Sequence, residues 1–183
     1  MAGSFYPAVL GLAILTLLGL VMTMDQPIAS AQPLQVMILA LMLTALTPML
    51  SPLTQLLGGG IVMPLTGEIT NYGPLPLFSW VVVGVAVGVM STDRGEAIRA
   101  SLLLTSLYYI LWILLTISVL PNVKNPVYWS AYLDRVFTTI VSKTPLELVA
   151  IYFIPLLVAV AMDSLLSLNS REQRIRRIRV WEY

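Results

Sequence analysis

The stretch from Pro74 to Leu120 constrains the fold most, because two long apolar runs there flank a short charged break. Residues 75–91 carry no charge, and a helix of that length spans roughly 25 Å at about 1.5 Å per residue, close to the thickness of a hydrocarbon core. The run over residues 98–120 is longer. The pattern predicts a transmembrane helical hairpin with a tight polar turn.

The turn itself carries the signals of a helix start. Asp93 can cap the helix that follows, and Glu96, three residues later, completes a pattern like a capping box. Arg94 and Arg99 lie in or beside the turn. Since short cytoplasmic loops are enriched in Lys and Arg, the turn is predicted to lie on the cytoplasmic side.

Gly84 and Gly88 lie one turn apart on the first helix of this hairpin. Helices in a bilayer associate by close packing, which small residues at the contact allow. The two glycines therefore predict a helix-packing face. A neighbouring helix of the same chain is the favoured partner, and a second copy of the chain is the alternative.

The composition indicates an all-α integral membrane protein. Of the 183 residues, 58% are hydrophobic and 10% are charged, against about a quarter charged in soluble domains. The chain has no cysteine and no histidine, which removes disulfides, thiolate metal sites, the usual haem ligand and the default general base. We therefore expect no cofactor, no metal and no catalytic centre.

The apolar runs predict a single membrane domain over residues 1–183, a five-span transmembrane helical bundle with one interfacial amphipathic helix on the outer side. The first run is interpreted as a retained span rather than a cleaved secretory signal, because no Lys or Arg precedes it. The predicted spans are about 5–24, 34–57, 75–91, 98–120 and 146–168, with an interfacial helix at about 126–143 and a basic cytoplasmic tail at 169–183. We predict that the chain lies in the cytoplasmic (cell) membrane. The distribution of basic residues predicts the N-terminus outside and the C-terminus cytoplasmic.

Pro48 and Pro52 interrupt the second predicted span. Each removes a backbone donor and clashes with the preceding turn, so a kink or break is predicted near Thr47. A broken helix can line a solute site, although a kink packed against neighbours is favoured. The sequence does not decide whether residues 58–74 form an outer loop or a re-entrant stretch. The hydroxyls predicted to satisfy the freed carbonyls are those of Thr44, Thr47 and Ser51.

Residues 126–143 have the pattern of an amphipathic helix that lies in the headgroup plane. Asn125 and Pro126 give a cap followed by proline at the first helical position. Asp134 and Arg135 lie on the polar face, where they would make a membrane crossing costly. The apolar face consists of Trp129, Tyr132, Leu133, Val136, Phe137 and Ile140.

The last span begins at Thr144-Pro145, with Glu147 predicted to reach back to the cap. It ends in a basic tail, for which we predict binding to anionic membrane lipid at about 1 kcal/mol per basic residue rather than to nucleic acid. The tail arginines are Arg171, Arg174, Arg176, Arg177 and Arg179.

Asp163 is the one acid deep within a predicted span. An unpaired carboxylate in hydrocarbon costs several kcal/mol, so a partner is expected. Arg99 starts the antiparallel helix at a similar depth, which predicts an Arg99–Asp163 intramembrane ion pair. The alternative is a proton or cation site at Asp163 facing a polar cavity.

Three functions are compatible with the sequence. A structural or accessory subunit of a larger membrane complex is favoured, with other membrane subunits, identical or different, as partners. A small solute-binding or permeation unit is the alternative, supported by the broken second helix, by a polar stripe on the fourth span and by Asp163. An intramembrane enzyme is least favoured, because one deep carboxylate and no histidine leave no pair for acid–base or nucleophilic chemistry. The stripe consists of Ser101, Thr105, Tyr109, Trp112 and Thr116.

Overall fold

The computed structural model describes residues 2–26, 33–139 and 144–180. These residues form seven α-helices, one 3₁₀ turn and a small two-stranded antiparallel hairpin. In chain order the elements are α1 (Ala2–Met22), α2 (Leu34–Leu46), the 3₁₀ turn (Thr47–Leu50), α3 (Pro52–Leu56), β1 (Ile61–Val62), β2 (Ile69–Thr70), α4 (Leu75–Met90), α5 (Arg94–Val123), α6 (Pro126–Phe137) and α7 (Pro145–Val180).

Three helices are long and apolar enough to cross a membrane, and their candidate spans are Gly3–Met22, Arg94–Val123 and Pro145–Leu168. The apolar helices over Leu34–Leu50 and Leu75–Met90 are shorter. The structure therefore confirms a helical chain suited to a membrane, but it does not confirm five spans.

One end of the bundle, which we call the turn end, is built around the α4–α5 turn at residues 91–93. A Cβ atom added to Gly3 would lie 2.5 Å from Glu96 Oε1, so α1 begins beside this turn. Asp163 of α7 lies against Arg94 at the same end. The start of α1 and the close of the apolar part of α7 thus share one end of the bundle.

The opposite end, which we call the hairpin end, carries β1 and β2. Tyr72, just before α4, lies beside Asp25 and Gln26, which follow α1. Burial raises the pKa of the Tyr72 hydroxyl, and its hydrogen bond with Gln26 partly offsets that rise. The Tyr72 N–H donates to Gln55 Oε1 at 3.2 Å, which ties the segment after α3 to this end.

Helix α2 enters the bundle from the hairpin end and stops inside it. A Cβ atom on Gly19 would overlap the Ala45 carbonyl, and Met49, four residues further, already lies at the level of Trp80. The chain then turns back at Ser51, where φ is −138° and ψ is 59°, and α3 returns it to the hairpin end. The predicted second span at about 34–57 is therefore not one continuous helix, because the chain turns back on itself at the break.

Gly84 and Gly88 pack α4 closely against α7 of the same chain. A Cβ atom at Gly84 would lie 2.9 Å from the Pro155 carbonyl oxygen, and one at Gly88 would lie 2.5 Å from that of Ala159. These are backbone atoms, so the helices could not approach this closely with any larger side chain. The glycines therefore occupy an internal seam of the bundle, not a surface open to a second copy.

Candidate functional site

The break between α2 and α3 is the candidate functional site, because broken helices can line solute sites in membrane proteins. Pro48 and Pro52 lack backbone N–H groups, so the Thr44 and Pro48 carbonyls lose their helical donors. The change from α-helix to 3₁₀ turn at Thr47 and the break at Ser51 leave further carbonyls, including those of Leu46 and Met49, without α-helical partners. Within a bilayer such carbonyls must find partners or face a water-filled cavity. The break lies among buried side chains, since Thr47, Met49 and Leu50 are each 0% exposed.

The freed carbonyls of the break are bound by side chains from other parts of the chain. Tyr108 Oη of α5 donates to the Leu46 carbonyl at 3.0 Å. Trp80 Nε1 of α4 donates to the Met49 carbonyl at 3.1 Å. The aromatic rings of Tyr108 and Trp80 also meet edge to face, with centroids 5.2 Å apart. Two helices therefore hold the break with both hydrogen bonds and aromatic packing.

Gln55 of α3 hydrogen-bonds further polar groups of the break through its side-chain amide. Its Nε2 donates to the Pro48 carbonyl at 2.6 Å and to Ser51 O and Oγ at 3.2 Å each. Its Oε1 accepts from the Tyr72 N–H. The side chain is 0% exposed and bridges the 3₁₀ turn, α3 and the start of α4.

The threonine hydroxyls predicted to satisfy the break act on the intact helix before it. Thr44 donates to the Ala40 carbonyl at 2.8 Å and Thr47 to the Leu43 carbonyl at 2.7 Å. Thr47 Oγ1 additionally accepts from Trp112 Nε1 at 3.3 Å. The hydroxyl of Tyr132 in α6 approaches Thr47 without reaching hydrogen-bond geometry, and burial raises the pKa of Tyr132.

Glu147 of α7 also holds the break, through long-range hydrogen bonds that the sequence did not predict. The predicted capping box would turn its side chain back to the start of α7. Instead its two carboxylate oxygens accept from the backbone N–H groups of Leu53, at 3.0 Å, and of Thr54. Glu147 is 1% exposed, so a buried carboxylate caps the N-terminus of α3.

Only some side chains of the polar stripe on α5 have hydrogen-bond partners. Thr105 and Thr116 donate to carbonyls four residues earlier in α5, and Trp112 reaches Thr47. Ser101 Oγ and Tyr109 Oη are buried and, within the described residues, have no hydrogen-bond partner. Sequence spacing found this stripe but did not show which members are satisfied.

The turn end has the predicted cap and a different ion pair. Asp93 Oδ1 accepts from the Glu96 N–H at 2.8 Å, while Glu96 Oε2 accepts from Thr92 N at 2.7 Å and Thr92 Oγ1 at 2.6 Å. Arg94 Nε lies 4.0 Å from Asp163 Oδ2. The predicted partner, Arg99, instead donates from Nε to the carbonyl of residue 95 at 3.0 Å.

Helix α6 begins as predicted, with Asn125 Oδ1 accepting from the Tyr128 N–H at 2.8 Å. On its apolar face Tyr132 and Val136 are buried, Trp129 and Leu133 are half-buried and Phe137 is exposed. Ile140 and residues 141–143 lie outside the described residues. The described α-helix covers Pro126–Phe137, and the end of the predicted 126–143 helix falls outside the described residues.

The basic tail lies on the continuation of α7, whose helical backbone runs to Val180. The side chains of residues 169–180 lie outside the described set, so their binding to anionic lipid stays a prediction. The five residues concerned are Arg171, Arg174, Arg176, Arg177 and Arg179.

Among the described residues no group of three or more carboxylates is placed to hold a metal ion. Comparison with known proteins gives no family model, no curated protein and no solved structure that matches the chain. The fold and its site therefore define a class only in physical terms: an all-α chain with three helices long and apolar enough to cross a membrane, and a broken helix held by long-range hydrogen bonds.

Proposed function

We propose that the chain is a non-catalytic polytopic membrane protein that serves as a structural or accessory subunit of a larger membrane complex. The observation that carries this proposal is the closure of the α2–α3 break. A solute site in a broken helix needs its freed carbonyls free to bind the solute. Here Tyr108, Trp80 and Gln55 donate to the Leu46, Met49 and Pro48 carbonyls, which favours packing over transport.

Copurification tests this proposal directly. The full chain, extracted from its own membrane in a mild detergent, is expected to elute with stoichiometric membrane subunits, identical or different, in size-exclusion chromatography with mass spectrometry of the peak. A lone monomer that accelerates solute uptake in proteoliposomes would overturn it.

We further propose an orientation in which both ends of the chain face the cytoplasm. Arg94, Arg99 and the basic tail belong to the turn end, whereas Lys124 and Arg135 follow the far end of α5. Cysteines introduced at Ser4 and Gly95 should react with an impermeant reagent from one side, and one at Thr138 from the other. The native chain has no cysteine to interfere. Labelling of residues 4 and 95 from opposite sides would contradict this orientation.

A small solute-binding or permeation unit is the second candidate, favoured by the unpartnered hydroxyls of Ser101 and Tyr109. If α5 lines a solute path, Ser101→Ala and Tyr109→Phe should lower uptake in proteoliposomes while the protein stays folded. Ser106→Ala is the matched control, because the Ser106 hydroxyl has a partner, the Leu102 carbonyl of its own helix, at 2.8 Å. This candidate would be contradicted if Ser101→Ala and Tyr109→Phe took up solute as fast as the Ser106→Ala control and the native chain.

A further inference from the structure

A groove runs between the β1–β2 hairpin and α6 at the hairpin end, and we call it the hairpin–α6 groove. It consists of two cavities of about 220 Å³ and 460 Å³. Val62 of β1 and Arg135 of α6 contribute to the wall of both, so the cavities adjoin. The volumes suit a small molecule or the polar part of a larger one.

The smaller cavity has the lining of an anion site. Arg135 is its one ionisable side chain, and hydroxyls from Ser51, Thr54 and Thr139 lie around it. Among the described residues Arg135 has no carboxylate within ion-pair distance. Asp134 lines only the larger cavity, so the guanidinium in the smaller cavity is free to bind an external anion.

A second cation lies near the other end of the groove. Lys124 Nζ is 5.1 Å from the centroid of the Tyr128 ring, and Tyr128 lines the larger cavity. Lys124 and Arg135 are the described cations around the groove, whereas Asp134 lines the larger cavity, Glu68 adjoins its lining residue Gly67, and Glu147 accepts from the N–H of Thr54. An anion contact therefore depends on Arg135 itself and not on the net charge of the groove. A guanidinium with neighbouring hydroxyl donors matches the oxygens of a phosphate group.

The surroundings of the groove are apolar and exposed, which favours an amphiphilic ligand. Ile69 of β2 is 69% exposed, and on α6 Val127 and Phe137 are 77% and 44% exposed. Exposed side chains of this size beside a groove lined by an arginine are expected where a protein meets the headgroup region of a bilayer.

We propose that the hairpin–α6 groove binds the phosphate of a membrane phospholipid, with Arg135 holding the phosphate and the acyl chains leaving over the exposed apolar side chains. Thr139 and Thr54 donate hydrogen bonds to the phosphate oxygens. This site lies at the opposite end of the bundle from the basic tail and does not depend on the proposed subunit role. It assigns a second, separate lipid contact to the chain.

The test uses the full chain in a nonionic detergent, titrated with short-chain phosphatidylglycerol and, separately, with the matched short-chain diacylglycerol, which lacks the phosphate. Native mass spectrometry gives the bound fraction. The phospholipid is expected to bind and the diacylglycerol is not. Arg135→Gln should weaken binding about tenfold or more, since a charge-assisted contact is lost. Arg135→Lys, which keeps the charge, should weaken it less.

Arg99→Gln is the matched control, because it removes an exposed arginine from the turn end and should leave binding unchanged. Thr139→Val provides a second variant, nearly isosteric, that should weaken binding by a smaller factor. Unchanged binding in Arg135→Gln, equal binding of diacylglycerol, or full displacement by equimolar inorganic phosphate would each overturn the proposal. The last result would assign the groove to a soluble phosphate.

Discussion

The chain reverses direction at two places in its apolar region, and the two reversals are held in different ways. At the α4–α5 turn, the hydrogen bonds of Asp93, Glu96 and Thr92 join residues three or four positions apart. At the α2–α3 break, the supporting bonds reach 31 residues to Trp80 and 62 residues to Tyr108. The capping carboxylate of Glu147 lies 94 residues from Leu53.

This difference follows from where each reversal lies. At the α4–α5 turn Thr92, Asp93 and Arg94 are exposed and only Glu96 is buried, so water reaches most groups that the turn leaves unpaired. The break is buried, where an unsatisfied carbonyl or N–H group is costly. Its partners come from α4, α5 and α7, so the break can be completed only when those helices have assembled around it.

Removing Glu147 should have the largest effect and would test whether the break depends on a distant cap. Glu147→Ala strands two N–H groups of α3 in a buried site, and we expect a loss of about 3 kcal/mol in the free energy of unfolding. Glu147→Gln keeps one acceptor and should lose less. Denaturant unfolding in detergent, followed by circular dichroism, measures both.

Glu68→Gln is the control for that experiment, because the Glu68 side chain is exposed in the turn between β1 and β2. It should change the free energy of unfolding by less than about 0.5 kcal/mol. If Glu147→Ala is as mild as this control, the break does not need its distant cap and the contrast between the two reversals is lost.

Tyr108→Phe should have the next largest effect. It removes the donor to the Leu46 carbonyl and keeps the ring against Trp80, so the expected loss is about 1–2 kcal/mol from one unsatisfied buried group. Thermal unfolding in detergent measures it. Tyr152→Phe is the matched control, since that hydroxyl lies 3.5 Å from Ser106 Oγ at a half-buried position. A larger loss in the control would contradict the assignment.

The sequence was informative where structure is local. The caps at Asp93 and Asn125, the starts of α5 and α6 and the interruption near Thr47 all follow from residues within a few positions of one another. The break could be located, because two prolines are enough to remove the helical donors. The direction of the chain after the break could not be derived, because a helix that continues past a kink and one that turns back at Ser51 have the same local sequence.

The contacts that define the site were missed for the same reason. Nothing local indicates that Trp80 and Tyr108 would donate to the break, or that Glu147 would turn away from its own helix. Asp163 was recognised as an acid in need of a partner, but the depth of α7 decides which arginine it meets. Asp163 lies at the first turn of α5, beside Arg94, rather than one turn deeper beside Arg99.

Asp93→Ala should have a smaller effect than either change at the break. It removes the N-cap of α5 and leaves the Glu96 N–H to water, which costs about 1 kcal/mol for a cap of this kind. Thermal unfolding compares it with Asp93→Asn, which keeps a capping oxygen and should be close to the native chain. A loss equal to that of Glu147→Ala would mean that the turn is as desolvated as the break.

The smallest expected effect is the coupling between Arg94 and Asp163. The Arg94 side chain is 66% exposed and its Nε lies 4.0 Å from the carboxylate, so water screens the pair. A double-mutant cycle with Arg94→Gln, Asp163→Asn and both changes should give a coupling of about 0.5 kcal/mol or less in unfolding free energy. A coupling of about 2 kcal/mol would place the pair in a medium of low dielectric. The turn end would then lie inside the hydrocarbon core, and water could no longer explain why its short-range bonds suffice.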